Sequence, residues 1–284
     1  MRRSVMRTIG GVADIDWVEI GDGVLVRRYA FYDQNIGLVL GDGEALVIDT
    51  RSTPRQAEEI RTDVRRVTPF PVTTVVNTHG HGDHAFGNHA FRPATIWGQV
   101  GCPPFMARTA EPTRHSMIAA FPEMAADLEA VVVDPPDSVF ETAHTIEVGG
   151  RTLHLHYLGR GHTDHDIVIE VPDGRILFVG DLMEGGAVPF YGDGYPLDWP
   201  GTCEAVTALV EGIVVPGHGD HADIEFAREQ TEAVTGIAAL ARRIDAGELT
   251  LDEAMRSTPY PAYRPEDVRE PLERAVAQVR GEVA

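Results

Sequence analysis

The sequence predicts an α/β fold in which two β-sheets face each other with helices outside, an αββα sandwich. Two observations predict it. A hairpin ending at an aspartate, then a helix, then a strand ending at a histidine, occurs twice, at Asp49/His79 and at Asp181/His218. This reads as an internal duplication. The metal-ligand residue types also collect just past the strand ends, where loops at one sheet edge carry function. The expectation is a single domain over residues 1–284, with a core of about 24–220. A helical insertion at 99–130 and C-terminal helices at 222–284, packed on the core, complete it.

The elements follow in order. Residues 24–32 (VLVRRYAFY) and 36–40 (IGLVL) are rich in β-formers, and Gly41-Asp42-Gly43 turns the chain into Ala45–Ile48, which ends at Asp49. Thr53-Pro54-Arg55-Gln56 has the form of a capping box with proline in the first turn. Ala57, Ile60, Val64 and Val67 continue it at helical spacing. Val72–Val76 is a buried-type strand delivering the chain to Asn77-Thr78-His79. In the second copy Ile167–Val171 and Ile176–Val179 form the hairpin, turning at Asp173-Gly174. Cys203, Val206, Leu209 and Val210 share a helix face, and Ile213–Val215 leads to His218. Between the copies, Phe105, Met106, Met117, Phe121 and Met124 punctuate a helical stretch that is either an insertion packed on the core or a lid. Two apolar stripes follow His218: Ile224, Ala227, Val234, Ile237, Ala241 and Ile244, then Val268, Leu272, Ala275 and Val279. They predict helices docked on the sandwich, since so short a segment makes a marginal core alone.

Composition excludes several functions. Forty-four acids against 24 bases give a net charge of −20, which repels phosphate backbones and argues against a nucleic-acid partner. The chain has no lysine, which excludes a Walker A loop, a Schiff-base enzyme and a lysine-dependent kinase site. No stretch approaches the ~20 apolar residues of a membrane helix. The early arginines have no apolar segment behind them, so no export leader is expected. Cys102 and Cys203 are far apart and form no CxxC pair, which fits a reducing cytoplasm.

Histidine carries the chemistry. Ten of 12 histidines fall in three short stretches. Thr78-His79-Gly80-His81-Gly82-Asp83-His84 places four potential ligands within six residues, spaced by glycine, after a buried strand. On a strand His79 and His81 would share a face, and on a Gly-rich loop Asp83 and His84 can curl back to a second point nearby, which suits two metal ions in one pocket.

The string His79-Gly80-His81-Gly82-Asp83-His84 resembles the HxHxDH signature of the metallo-β-lactamase superfamily, and further motifs appear in order. Asp49 stands in Val47-Ile48-Asp49-Thr50, His162 in Gly161-His162-Thr163, Asp181 in Phe178-Val179-Gly180-Asp181, and His218 in Val215-Pro216-Gly217-His218-Gly219. The resemblance covers about residues 30–220. It implies one site from His79, His81 and His162, a second from Asp83, His84 and His218, and Asp181 bridging them. Nitrogen and carboxylate ligands without thiolate suit two Zn²⁺ per chain, with iron or manganese as alternatives. The resemblance implies that Asp49 orders the ligand loop from outside. It also implies a hydrolase. Two dications sharing a water lower its pKa from ~15.7 to about 7 or below, and the bridging hydroxide attacks an ester, thioester, lactone or amide carbonyl. Asp83 then accepts a hydrogen bond from the hydroxide or passes a proton to the leaving group.

The substrate is a small molecule. The loop Glu184–Pro200 follows Asp181, and Phe190, Tyr191, Tyr195 and Trp199 are candidate substrate contacts, with Tyr195 and Trp199 alternatively anchoring the loop. His165 and His221, three residues from ligands, are candidates to support them, while His89, His115, His144, His154 and His156 read as ordinary polar positions. Two alternatives stay open. One is β-lactamase activity proper, although the commonest lactamases put cysteine where Asp181 stands and use a lysine. The other is a mononuclear-iron thiol or persulfide dioxygenase, in which the equivalents of His79, His162 and Asp181 hold one iron. Oligomeric state is not encoded in these patterns.

Overall fold

The computed structural model describes residues 14–283, so the N-terminal arginines lie outside the described residues. The chain forms two compact units, one ending at Leu155 and the other beginning at His156.

The first unit holds a seven-stranded sheet in sequence order. Its strands are β1 (Ile15–Gly21), β2 (Val24–Tyr29), β3 (Gln34–Leu40), β4 (Ala45–Ile48), β5 (Val72–Val76), β6 (Thr95–Gln99) and β7 (Ser138–Phe140). The first four pair antiparallel and β4 to β7 pair parallel. β2 stops earlier than its sequence suggests. Tyr32 and Asp33 turn the chain through left-handed backbone, and Arg28 grips the Asp33 carboxylate.

Helix α1 (Pro54–Val67) starts where Thr53 accepts a hydrogen bond from the Gln56 amide. The Gln56 side chain closes the turn on the Ser52 amide, one residue earlier than a standard capping box. Ala57, Ile60 and Val64 lie against β-strand residues such as Ile36, Val47 and Val75. The helix ends because Pro69 disfavours α backbone at Thr68, which is extended.

Past β5 comes one short turn, α2 (Gly82–Ala85), and after β6 the helices α3 (Cys102–Ala120) and α4 (Ala125–Glu129). The insertion foreseen at 99–130 is therefore flanked by strands, β6 and β7, that the sequence did not announce. Its apolar residues Ala110, Met117, Phe121, Met124 and Leu128 pack with Phe86, and Phe121 meets Phe31 and Tyr32 edge-on. Met and aromatic residues at helical spacing are here packed core.

A second sheet comprises β8 (Ala143–Val148), β9 (Arg151–His156), β10 (Val168–Val171), β11 (Ile176–Gly180) and β12 (Ile213–Pro216), in the order β12–β11–β10–β9–β8. On β9, Leu153 and Leu155 are buried, while His154 and His156 face Thr145 and Glu170.

In the second unit, β10 and β11 pair antiparallel and β12 joins β11 in parallel after α5 (Trp199–Leu209). This repeats the order antiparallel β3/β4, helix, parallel β5. The chain then runs through α6 (Ile224–Asp245), α7 (Leu251–Arg256) and α8 (Pro265–Val279). Ala227, Val234, Ile237, Leu272 and Ala275 join Val168, Leu177, Val179 and Val206 in one core. At roughly 1.5–3 kcal/mol per buried large apolar side chain, this layer stabilises the unit substantially. α7 carries a complete capping box between Thr250 and Glu253.

Candidate metal centre

In the first unit, the ligand string leaves β5 and enters α2, which is too short to be stable by itself. Buried side chains hold it instead. The His84 carbonyl accepts from the Thr50 amide at 2.8 Å, the Thr50 hydroxyl at 3.0 Å and the Asn77 amide group at 3.2 Å. Gln34 donates to the Asp83 carbonyl at 2.5 Å.

Asp49 then sets the histidines. Its Oδ1 accepts from the Thr78 amide and its Oδ2 from the Thr78 hydroxyl, both at 2.8 Å. The same Oδ2 lies 2.8 Å from His84 Nδ1. A carboxylate accepts only, so His84 carries its proton on Nδ1 and keeps the Nε2 lone pair open. The Thr78 hydroxyl, already donating to Asp49, accepts from His79 Nδ1 at 3.1 Å, which leaves His79 Nε2 open as well.

The open atoms pair up. His79 Nε2 lies 3.1 Å from His81 Nδ1, and His84 Nε2 lies 3.4 Å from Asp83 Oδ2. Two ligands at 2.0–2.1 Å on a tetrahedral ion stand about 3.3 Å apart. Both pairs fit that spacing.

In the second unit, His162 Nε2 lies 3.5 Å and His218 Nε2 3.2 Å from one oxygen, Asp181 Oδ2. These pairs fit the same spacing, and they share the carboxylate. A Cβ on Gly217 would fall 1.9 Å from Asp181 Oδ1, so any side chain there must displace that carboxylate. The donor set is buried nitrogen and oxygen: His79, His84, His162, Asp181 and His218 are each 6% exposed or less. Such a set could hold metal ions, and loaded sites of this kind acidify water and polarise carbonyl groups.

The other sequence candidates divide. His165 is buried, its Nδ1 2.7 Å from Asp164, and its amide donates to Thr163. His221 is exposed. Tyr191 and Trp199 are fully buried core members, so loop anchoring describes these two. The Trp199 indole donates to the Leu182 carbonyl, and the Tyr191 and Tyr260 hydroxyls lie 3.2 Å apart. Phe190 and Tyr195 stay partly exposed, with Arg160 4.4 Å over the Tyr195 ring. Burial pushes the Cys203 thiol far up, which removes it as a nucleophile at neutral pH.

Sequence reasoning missed Glu184. It is 4% exposed, and it, His162 and Asp181 each bring a ligand-type atom within 4.8 Å of the others. Its only sequence signal is an acid three residues after Asp181.

A family model described as the metallo-β-lactamase superfamily matches residues 30–218. The chain is 26% identical over 215 residues to the type 2 metallo-β-lactamase of Bacteroides fragilis, covering 74% of this chain and 78% of that protein. It is 28% identical over 229 residues to the human acyl-coenzyme A thioesterase MBLAC2, covering 70% and 79%. A solved metallo-β-lactamase from Pontibacter korlensis matches with a TM-score of 0.66 and 21% identity, over 78% of this chain and 98% of the other. That likeness is one of fold.

Proposed function

Because the chain belongs to the metallo-β-lactamase superfamily, we propose that it is a dinuclear zinc hydrolase cleaving an ester, thioester, lactone or amide of modest size. It is a hydrolase on the strength of its lactamase and thioesterase relatives. The observation that carries the dinuclear reading is Asp181, whose single oxygen Oδ2 serves both His162 and His218. As the family resemblance implies, His79, His81 and His162 would hold one ion and Asp83, His84 and His218 the other, with Asp181 a candidate ligand common to both.

Bound there, the ions supply an acidified water and a Lewis acid for the substrate carbonyl. The protein does the rest. Asp49 keeps the imidazole Nε2 atoms open, and the buried donors around the His84 carbonyl hold the loop rigid. Asp83, 17% exposed at its side chain, would take the proton of the attacking water and return it to the leaving group. Phe190 and Tyr195 rim the substrate.

The absence of lysine and the aspartate at position 181 favour esters and thioesters over β-lactams. The partner is a small molecule. A charge of −20 disfavours nucleic acid, and no helix among the described residues is long and apolar enough to cross a membrane. We place the protein in the cytoplasm because Cys102 and Cys203 lie far apart in the sequence and belong to no CxxC pair.

The test combines metal analysis with a pH-stat assay of zinc-loaded protein against a thioester, several esters and lactones, an amide and several β-lactams. The expected result is two zinc ions per chain and acid release from one class. Near one iron per chain with oxygen uptake, or silence across the panel with two metals bound, overturns it.

A further inference from the structure

The buried carboxylate of Glu184 has no role in the reading above. A carboxyl group this deep is retained only with specific partners. Its Oε1 accepts from the Phe190 amide at 3.3 Å, which ties the start of the loop to Phe190. The Phe190 carbonyl in turn lies 3.1 Å from His162 Nδ1, and Glu184 Oε1 lies 3.9 Å from the same nitrogen. A carbonyl oxygen can only accept, so Nδ1 donates and Nε2 carries the lone pair. Nε2 is the nitrogen that faces Asp181 at 3.5 Å.

We propose that Glu184 is a positioning residue for His162: through the Phe190 backbone and its own charge it holds the imidazole with Nδ1 protonated and Nε2 turned to Asp181. The inference rests on the metal reading of His162 and Asp181. Glu184 stands on the Nδ1 side of the ring, behind the ligand. Tyr191 and Tyr260 feel its charge. Their phenols are held well above the usual range by burial first, with the Glu184 charge adding to it. Tyr260 lies between α7 and α8. Carboxylates behind ligand histidines orient the ring and raise its basicity, and losing one costs about 10–100-fold in metal affinity.

The test uses the full chain with Glu184→Ala and Glu184→Gln. Zinc affinity is measured by competition with a chromophoric chelator. The His162 tautomer is read from imidazole ¹⁵N shifts of metal-free protein, and thermal melting is followed in parallel. Glu184→Ala should weaken zinc by about 10–100-fold and shift His162 away from the Nδ1–H form. Glu184→Gln, which keeps an acceptor for the Phe190 amide, should restore the tautomer and only part of the affinity. Wild-type affinity and tautomer in the variants, with only a lower melting temperature, overturn the proposal. If Glu184→Ala does not fold, unchanged zinc affinity in Glu184→Gln overturns it. Loss of one whole zinc in Glu184→Gln, with a changed cobalt spectrum, makes Glu184 a direct ligand and also overturns it. Absence of zinc binding in the wild type defeats the metal reading separately, since the tautomer is measured without metal.

Discussion

Asp49 and Asp181 end the second strand of two copies of one hairpin–helix–strand plan, yet their carboxylates meet the histidines from opposite sides. Asp49 faces His84 Nδ1 and reaches His79 Nδ1 through the Thr78 hydroxyl, so it stands behind the proposed ligands. Asp181 faces the Nε2 atoms of His162 and His218, so it stands among them. Two local differences account for this. Asp49 itself has left-handed backbone, φ 65°, whereas in the second copy Gly180 takes that conformation, φ 52°, one residue before the aspartate. The residue preceding the strand-end histidine is Thr78 in one copy, donating to the aspartate. In the other it is Gly217, which leaves its side-chain space to the aspartate. Shared topology supplies equivalent addresses, and single residues decide whether the carboxylate there meets the Nδ1 side of the histidines or the Nε2 side.

The largest effect should come from Asp181. Asp181→Ala removes the oxygen common to two pairs, and metal analysis should fall from two ions to about one. Turnover should drop about a thousandfold or more, since the several kcal/mol supplied by metal charge stabilisation are lost. Full metal content with near-wild-type turnover in that variant would falsify the bridging role. Next is Gly217→Ala, whose Cβ would lie 1.9 Å from Asp181 Oδ1 and must displace it. A shift of this order at a catalytic group costs about a hundredfold in turnover. Unchanged turnover would show that the glycine does not set the difference between the copies.

Asp49 ranks third for activity and first for stability. Asparagine tolerates left-handed backbone and alanine does not, so Asp49→Asn isolates the charge while Asp49→Ala adds strain of about 1–2 kcal/mol. Metal-free Asp49→Ala should melt well below Asp49→Asn, and both should bind zinc about 10–100-fold more weakly than wild type. Equal melting of the two variants would mean that the left-handed turn carries no cost.

Much of this was legible in the sequence because it is local. The ligand string is a dense run of donors spaced by glycine after an apolar strand, and Asp181 and His218 are found by repeating the plan of Asp49 and His79. What stayed illegible depends on distant packing. β6 and β7 carry β-formers, Thr95-Ile96-Trp97 and Val139-Phe140, but are too short to stand out, and parallel pairing to neighbours makes them strands. Tyr191 and Tyr195 are the same residue type in one loop. The first is core, its hydroxyl 3.2 Å from that of Tyr260, and the second is partly exposed. Glu184 is hidden for the same reason, since nothing local separates a buried acid from a solvated one. His218 and His221, three residues apart, divide into buried and exposed where the chain leaves β12.

The smallest change concerns Thr78, the residue that makes the first copy unlike the second. Thr78→Val keeps the shape and the backbone amide but removes the hydroxyl that donates to Asp49 and accepts from His79 Nδ1. Leaving such buried groups unmatched costs about 1–3 kcal/mol, so the metal-free protein should melt lower by that amount. His79 should lose its tautomer preference while His84, held directly by Asp49, keeps its own. Thr78→Ser should restore both. Imidazole ¹⁵N shifts of the two histidines separate these outcomes. If His84 moves together with His79, Asp49 is itself held in place by Thr78, and the two copies differ by the threonine more than by the backbone turn. If neither histidine moves, the hydroxyl relay carries no weight, and the left-handed Asp49 alone distinguishes a supporting carboxylate from a bridging one.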